Sequence, residues 1–577
     1  MRLRAVATAI TGVLAAFLMV AAASASAASF TTPVQLVGAS SSGSPDPASG
    51  PFGGEPSIAA DPLGHVYVQS PEGIPSGASG NPGSGFWISN DDGNSFSAGK
   101  YLGSYLGGGD GDVIVANTPT PNTVFNADLE AAATEICQSS DFGKTFTGVG
   151  PFPDPSNCTT INGGQAGPSD DRPWLTYDPK GQELYLTYHE FVSAQPIAFR
   201  SDNGGGDNFA NPCGPLVTDP TIEANIPQDV TGGTLVARPV VDKNGTLYVL
   251  FATTTQQQNA AAASGGQPSG TYSQLYMAVS KDHCQTFTDS TVYDGTNGGQ
   301  NTNTVQFGDI FNDLAIDGGG NLYVVGDGFV NKPSDTATTW FLKSTDGGQH
   351  WSTPAQLDSP NAAYMLPAAI GGPQAGQLAI GYFRTTNGKT DPNDTSDVWT
   401  YSTAQSSNAN SDSPTFSYSD VNPGFAYHTG EICNAGILCG TVPGGPSDRS
   451  LLDFTSVTLD ASGCPLYVFA GNTPQSEANN QTWNYVTRQT SDCFSTSPSS
   501  TSTETGSTPG GGSTQGGGSS PGSSPAHHPN PTHAKQHKKP KKHKKHHKKK
   551  KHAKKHAKRH AKHHRGAHLS ADLFVLF

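Results

Sequence analysis

The chain has 577 residues, 69 of them Gly and 43 Pro, with only 14% charged residues and a net charge of −14. That charge conceals two opposed regions: residues 526–577 carry 17 of the 33 Lys and Arg, and the chain between residues 29 and 525 is left with 14 bases against 46 acids, or −32. So acidic a body argues against a nucleic-acid-binding core, and short β-rich runs with almost no helical periodicity argue for an all-β fold.

The N-terminus carries Arg2 and Arg4, then an apolar run over 5–23, then two A-x-A cleavage patterns, Ala23-Ser24-Ala25 and Ala25-Ser26-Ala27. This is the pattern of a secretory signal peptide over 1–28, and it predicts a secreted, extracellular or surface-associated protein. A retained anchor is the alternative, since the apolar run is nearly long enough to span a bilayer. No later run approaches about 18 apolar residues.

Between residues 29 and 497 short strand-like runs alternate with turns rich in Gly, Asn, Asp and Pro, and one element recurs. It reads S-N-D-D-G-N-S-F at Ser89–Phe96, S-S-D-F-G-K-T-F at Ser139–Phe146 and S-T-D-G-G-Q-H-W at Ser344–Trp351. S-K-D-H-C-Q-T-F at Ser280–Phe287 exchanges Gly for Cys284, Arg200–Phe209 has an insertion, and Thr490–Phe494 is a remnant. The pattern specifies a tight inter-strand turn in which Asp91, Asp141, Asp202, Asp282 and Asp346 accept from turn N–H groups while Gly takes a positive φ. A strand, an Asp/Gly turn and an aromatic-bearing strand precede each copy, as at Pro56–Val68, Pro173–Leu186 and Val240–Val249. Each unit makes a four-stranded blade, and seven units predict a seven-bladed β-propeller, six being the alternative count. Thr31-Thr32-Pro33-Val34-Gln35-Leu36 resembles Ser352-Thr353-Pro354-Ala355-Gln356-Leu357 after a later copy of the turn, so the N-terminal segment is expected to supply the strand that the last blade lacks and close the ring.

The repeated turns, with the strands before them, resemble the Asp-box repeats of the sialidase superfamily over about residues 30–497. The resemblance implies a protein that acts on or binds glycans, either an exo-α-sialidase-type glycoside hydrolase or a non-catalytic surface or glycan-binding propeller. No cofactor or metal is implied. The strand order puts the box turns on one face and the starts of the inner strands on the other. Four of the six arginines between residues 29 and 525, Arg172, Arg238, Arg384 and Arg449, fall at that second face, where forked guanidinium groups suit a carboxylated ligand. The alternative is that they pair with the surrounding acids. A retaining sialidase needs an arginine cluster, a carboxylic acid and a Tyr nucleophile activated by Glu. By resemblance Arg172, Arg238 and Arg384 form the cluster, Asp171 is the acid/base, and Tyr188 and Glu190 are nucleophile and activator. Glu55-Pro56 stands where the family carries Arg-Ile-Pro.

Eight cysteines in an exported chain predict disulfides. Cys464–Cys493 lie at two turns of one blade face, Cys433–Cys439 close a short loop, and Cys137–Cys158 and Cys213–Cys284 complete the set. Residues 498–525 read as a flexible Ser/Gly/Pro linker. Residues 526–577 hold 13 of the 18 His among the lysines and read as a disordered tail suited to anionic surface polymers.

Overall fold

The computed structural model describes residues 27–494 apart from several inter-strand segments, the longest being 38–52 and 254–273. The expected signal peptide (save Ala27 and Ala28), the linker and the basic tail lie outside the described residues. No helix among the described residues is long and apolar enough to cross a membrane.

Seven antiparallel sheets of four or five strands form the seven blades of a β-propeller. Their first and second strands are Ser57–Ala60 and Val66–Ser70 in blade I, Gly108–Ala116 and Thr123–Glu130 in blade II, and Asp170–Asp178 and Glu183–Glu190 in blade III. Blade IV begins with Thr234–Val236 and Val240–Val241, which share one partner, Leu247–Thr253. In blade V, Asn312–Ile316 pairs with Leu322–Val330, in VI Tyr364–Gly371 with Leu378–Thr385, and in VII Ser456–Leu459 with Pro465–Gly471. The last sheet takes its outermost strand from the other end of the chain: Val34 pairs with Val486 and Gln35 with Tyr485. Thr31 and Leu36 donate N–H groups to Arg488 and Asn484 carbonyls on either side of that pair, which completes the ring.

Alternation along the second strands fills the seams between blades. Leu184, Leu186 and Tyr188 pack against Phe125, Ala127 and Ile136 of blade II, while Tyr185 of the same strand faces Val249 and Phe251 of blade IV. The repeated turns share one hydrogen-bond scheme. Ser89 Oγ donates to Asp91 Oδ1 (2.7 Å) and accepts from the Gly93 N–H (2.9 Å), and Ser95 N–H donates to Asp91 Oδ1 (2.9 Å). The set recurs at Asp141, Asp282 and Asp346. Gly93 meets the turn at φ 79°, whereas Cys284 holds its equivalent place at φ 58° while bonded to Cys213. Blade VI carries a copy not evident in the sequence: Asn408 replaces the Asp, bonding Ser406 and accepting from Thr415 N–H (2.9 Å). The other bonded pairs are Cys137–Cys158, Cys433–Cys439 and Cys464–Cys493.

Candidate functional site

Several inner strands enter the channel through a strained residue. Glu55, Arg172, Leu366 and Leu452 all take φ values between 45° and 58°, in the left-handed region that costs a non-glycine residue on the order of 1–3 kcal/mol. Three of the four precede a proline, Pro56, Pro173 and Pro367, which has no N–H to contribute to a ladder. The ladder is correspondingly offset between Asp171 and Trp174 in blade III and between Met365 and Ala368 in blade VI. These offsets turn side chains that would otherwise lie in the seams toward the axis.

Two layers of polar side chains result. In the outer layer Arg172 Nη2 donates to Asp453 Oδ2 (2.6 Å), and Arg449 Nη2 donates to the same oxygen (2.8 Å). The Asp453 N–H in turn donates to Glu55 Oε1 (3.0 Å), and Arg172 Nε stands 3.6 Å from Asp171. Burial favours the neutral acid at Asp453, but Arg449 and Arg172 outweigh it and hold the carboxyl below its usual range. His189, behind Arg172, is depressed to about 3 by burial and then by the arginine, so it is neutral.

The inner layer is organised by Arg238, whose side chain crosses from blade IV to three other blades. Nη2 donates to Asp112 Oδ1 of blade II (2.9 Å) and Ser57 Oγ of blade I (3.1 Å), and Nη1 to Ser456 Oγ of blade VII (3.3 Å). Ser57 Oγ donates to Asp112 Oδ1 (2.6 Å) and the Leu175 N–H to Asp112 Oδ2 (3.0 Å). Burial nevertheless raises the Asp112 carboxyl above its ordinary value, against Arg238 and these donors, and raises Asp313 likewise. An aromatic pair joins the layers: Arg172 lies 4.6 Å over the Phe454 ring, Phe454 meets Trp174 edge to face at 5.0 Å, and Arg238 lies 5.2 Å over Trp174.

The residues expected from the sequence separate into two groups. Asp171, Arg172, Arg238 and Arg449 converge on the channel. Arg384 does not join them: Nη2 donates to both oxygens of Asp420 (2.8 Å each) and Nε to Ser402 (3.3 Å), so its side chain runs outward across the third and fourth strands of blade VI. There it lines a cleft of about 410 Å³ with Tyr364, Tyr382 and Tyr418. Tyr188 is fully buried in the seam between blades II and III, stacked on Phe199, with its hydroxyl unbonded. Glu190 accepts from Ser193 Oγ, and burial followed by the charges of Asp170 and Glu190 raises the Tyr188 hydroxyl far above its ordinary value. A phenol so raised and so enclosed is not an activated nucleophile. Asp112, Ser57, Ser456, Trp174 and Phe454 were not singled out from the sequence as site residues. Asp112, Ser57, Trp174 and Ser456 occupy corresponding points of their blades' inner strands, close to the position of Arg238 in blade IV, and that correspondence is the signal that finds them. Among the described residues no three His, Cys, Asp or Glu side chains converge on a metal position.

No family model and no curated protein matches the chain. Among solved structures it is similar to the NanB sialidase of Streptococcus pneumoniae (12% identity over 81% of this chain and 71% of that one, TM-score 0.37). It is similar also to the phage phi92 endosialidase (13% identity, 84% and 72% covered, TM-score 0.40) and to a Dyadobacter fermentans protein described as of unknown function (13% identity, 79% and 98%, TM-score 0.39). The fold assignment rests on the seven sheets themselves.

Proposed function

We propose that the chain is a non-hydrolytic binding propeller that holds a neutral, hydroxyl-rich glycan at the channel mouth opposite the repeated turns. One observation carries this reading: the channel arginines are committed to buried acids, Arg172 and Arg449 to Asp453 and Arg238 to Asp112. Three arginines face five acids there, Glu55, Asp112, Asp171, Asp313 and Asp453, so a carboxylated sugar meets a surplus of like charge. A neutral sugar does not, and its hydroxyls can donate to part-exposed Asp171 in charge-assisted bonds. The strained entries of Glu55, Arg172 and Leu452 support a binding role, since such strain concentrates at ligand sites. Export belongs to the same reading: the leader over 1–28 and four disulfides suit an oxidising compartment. The Lys/His tail is then a tether to anionic surface polymers, its hold fading with salt.

The test is to measure binding of the purified protein to panels of neutral and sialylated oligosaccharides, alongside turnover of a fluorogenic sialoside. Binding confined to neutral glycans, weakened by Asp171→Asn, with no turnover, is expected. Sialoside hydrolysis that disappears in Arg172→Ala overturns the proposal and restores the exo-sialidase reading.

A further inference from the structure

The connection between the second and third strands of blade VI, residues 386–397, reads T-N-G-K-T-D-P-N-D-T-S-D and ends on a carboxylate with no evident partner. Asp397 is 1% exposed, and neither of its carboxylate oxygens has a hydrogen-bond partner. Its neighbours are spoken for. Lys389, whose charge acts on Asp397, bonds Asp394 instead (2.8 Å), whose other oxygen accepts from Ser396 N–H (2.9 Å) and Oγ (2.6 Å). Asp391 accepts from the Asn393 N–H (2.9 Å). The Asn393 side-chain carbonyl, Oδ1, is a further buried oxygen without a donor.

Burial, then the charges of Asp394 and Asp391, push the Asp397 carboxyl up to about 7, against the pull of Lys389. A proton does not resolve the problem, however. A proton on one Asp397 oxygen leaves the other carboxylate oxygen and Asn393 Oδ1 still without a donor. What satisfies several buried acceptor oxygens at once is a cation. The backbone is arranged to hold them in place. Asp397 N–H donates to Asp394 O (3.0 Å), Gly430 N–H to Asp397 O (2.9 Å), and Ile432 N–H to Pro392 O (2.9 Å), so both arms of the loop are tied to the segment that follows the blade.

We propose that this loop binds a hard divalent cation of the Ca²⁺ class, with Asp397 as its carboxylate ligand and Asn393 Oδ1, backbone carbonyls and water completing an all-oxygen shell. One carboxylate with amide and carbonyl oxygens makes a weak site, with a dissociation constant of about 10⁻⁴–10⁻³ M, the range of extracellular modules. The site is independent of the channel and of what the channel binds.

Trp399 supplies the probe. Its buried indole donates to the Gly430 carbonyl (2.8 Å), two residues from Asp397, and is placed to sensitise Tb³⁺ luminescence. With the whole protein, indole-excited Tb³⁺ emission should be displaced by millimolar Ca²⁺, and Ca²⁺ should raise the melting temperature. Asp397→Asn should weaken both responses by about 10-fold or more, the loss expected when a metal site's support is removed, whereas Asp412→Asn on an exposed turn should leave them unchanged. Asn393→Ala is a second variant should Asp397→Asn fold poorly. A wild-type melting temperature indifferent to Ca²⁺ overturns the proposal, as does a Ca²⁺ response that survives in Asp397→Asn.

Discussion

Replacing Arg238 with Met separates a structural hub from a ligand-binding arginine. Met keeps much of the apolar stem but removes the donors that reach Ser57, Asp112 and Ser456. Asp112 is 0% exposed and would then be a buried carboxylate without its cation. Breaking a buried pair from one side costs about 3–5 kcal/mol. Asp112 keeps the Ser57 hydroxyl and the Leu175 N–H, and Arg238 is itself 22% exposed, so the lower end applies, about 3 kcal/mol. With about 2.1 cal/mol/K of unfolding entropy per residue, a propeller over residues 29–497 loses about 3 °C of melting temperature. The double variant Arg238→Met/Asp112→Asn removes both charges and should recover most of that loss, since a matched pair of deletions leaves no orphaned ion. The sign with pH follows from the raised Asp112 carboxyl. An acid whose folded pKa lies above its unfolded one favours folding below the unfolded value and loses that contribution as pH rises through the folded value. Removing Arg238 raises the folded value further, so the variant's deficit should be largest near neutrality and close as the solution is acidified toward the ordinary carboxylate range. Calorimetry of the two variants at neutral and acid pH decides it. A single variant as stable as wild type, or a double variant worse than the sum of the two single ones, refutes the hub.

Tyr188→Phe should be neutral or slightly stabilising and should leave ligand binding intact, because it deletes a buried hydroxyl with no partner; loss of an activity would reinstate the nucleophile. Asp346→Ala should lower the melting temperature without touching ligand affinity. The Asp346 carboxyl is held at about 2, burial being outweighed by bonds from His350 and Ser344. Its stabilisation is therefore present above the ordinary carboxylate value and fades as pH falls through about 2, and solvent screening keeps it small. Arg384→Lys loses the fork onto Asp420 and should cost at most about 1 kcal/mol, with glycan binding at the channel unchanged in a titration.

The blades were legible because their signals are local. A Ser, an Asp and a Gly at fixed spacing satisfy one turn wherever they occur, and the similarity of Thr31–Leu36 to Ser352–Leu357 disclosed a strand partner more than 400 residues away. The channel was legible only to the level of which end of a strand each residue occupies. Arg172 and Arg384 both sit at that end, but one enters through an offset ladder with left-handed φ and the other continues a regular strand, and this sends their side chains in opposite directions. Parity would have placed Tyr188: it shares a face with Leu184 and Leu186, both seam residues, and so belongs to the core. Asp112 escaped, as Ser57, Trp174 and Ser456 did, because different residue types stand at the same point of different blades and no shared residue marks the position.

The strand at Val34–Gln35 has a consequence for how the ring is assembled. It is among the first parts of the chain to be made, yet its partner Trp483–Arg488 is among the last, so closure is the contact of greatest sequence separation in the sheet system and must wait for nearly the whole propeller. Until it forms, the outer edge of the last blade is an unpaired template. Two nascent copies at high concentration can each satisfy it with the other's leading strand, giving a domain-swapped pair that contains every native bond. Shortening the chain before Leu36 removes the intramolecular competitor and leaves that edge open to neighbours. The ring is thus closed within one chain by the Val34–Gln35 strand and the bonds that flank it, and its tendency to associate should depend on how quickly that first strand returns.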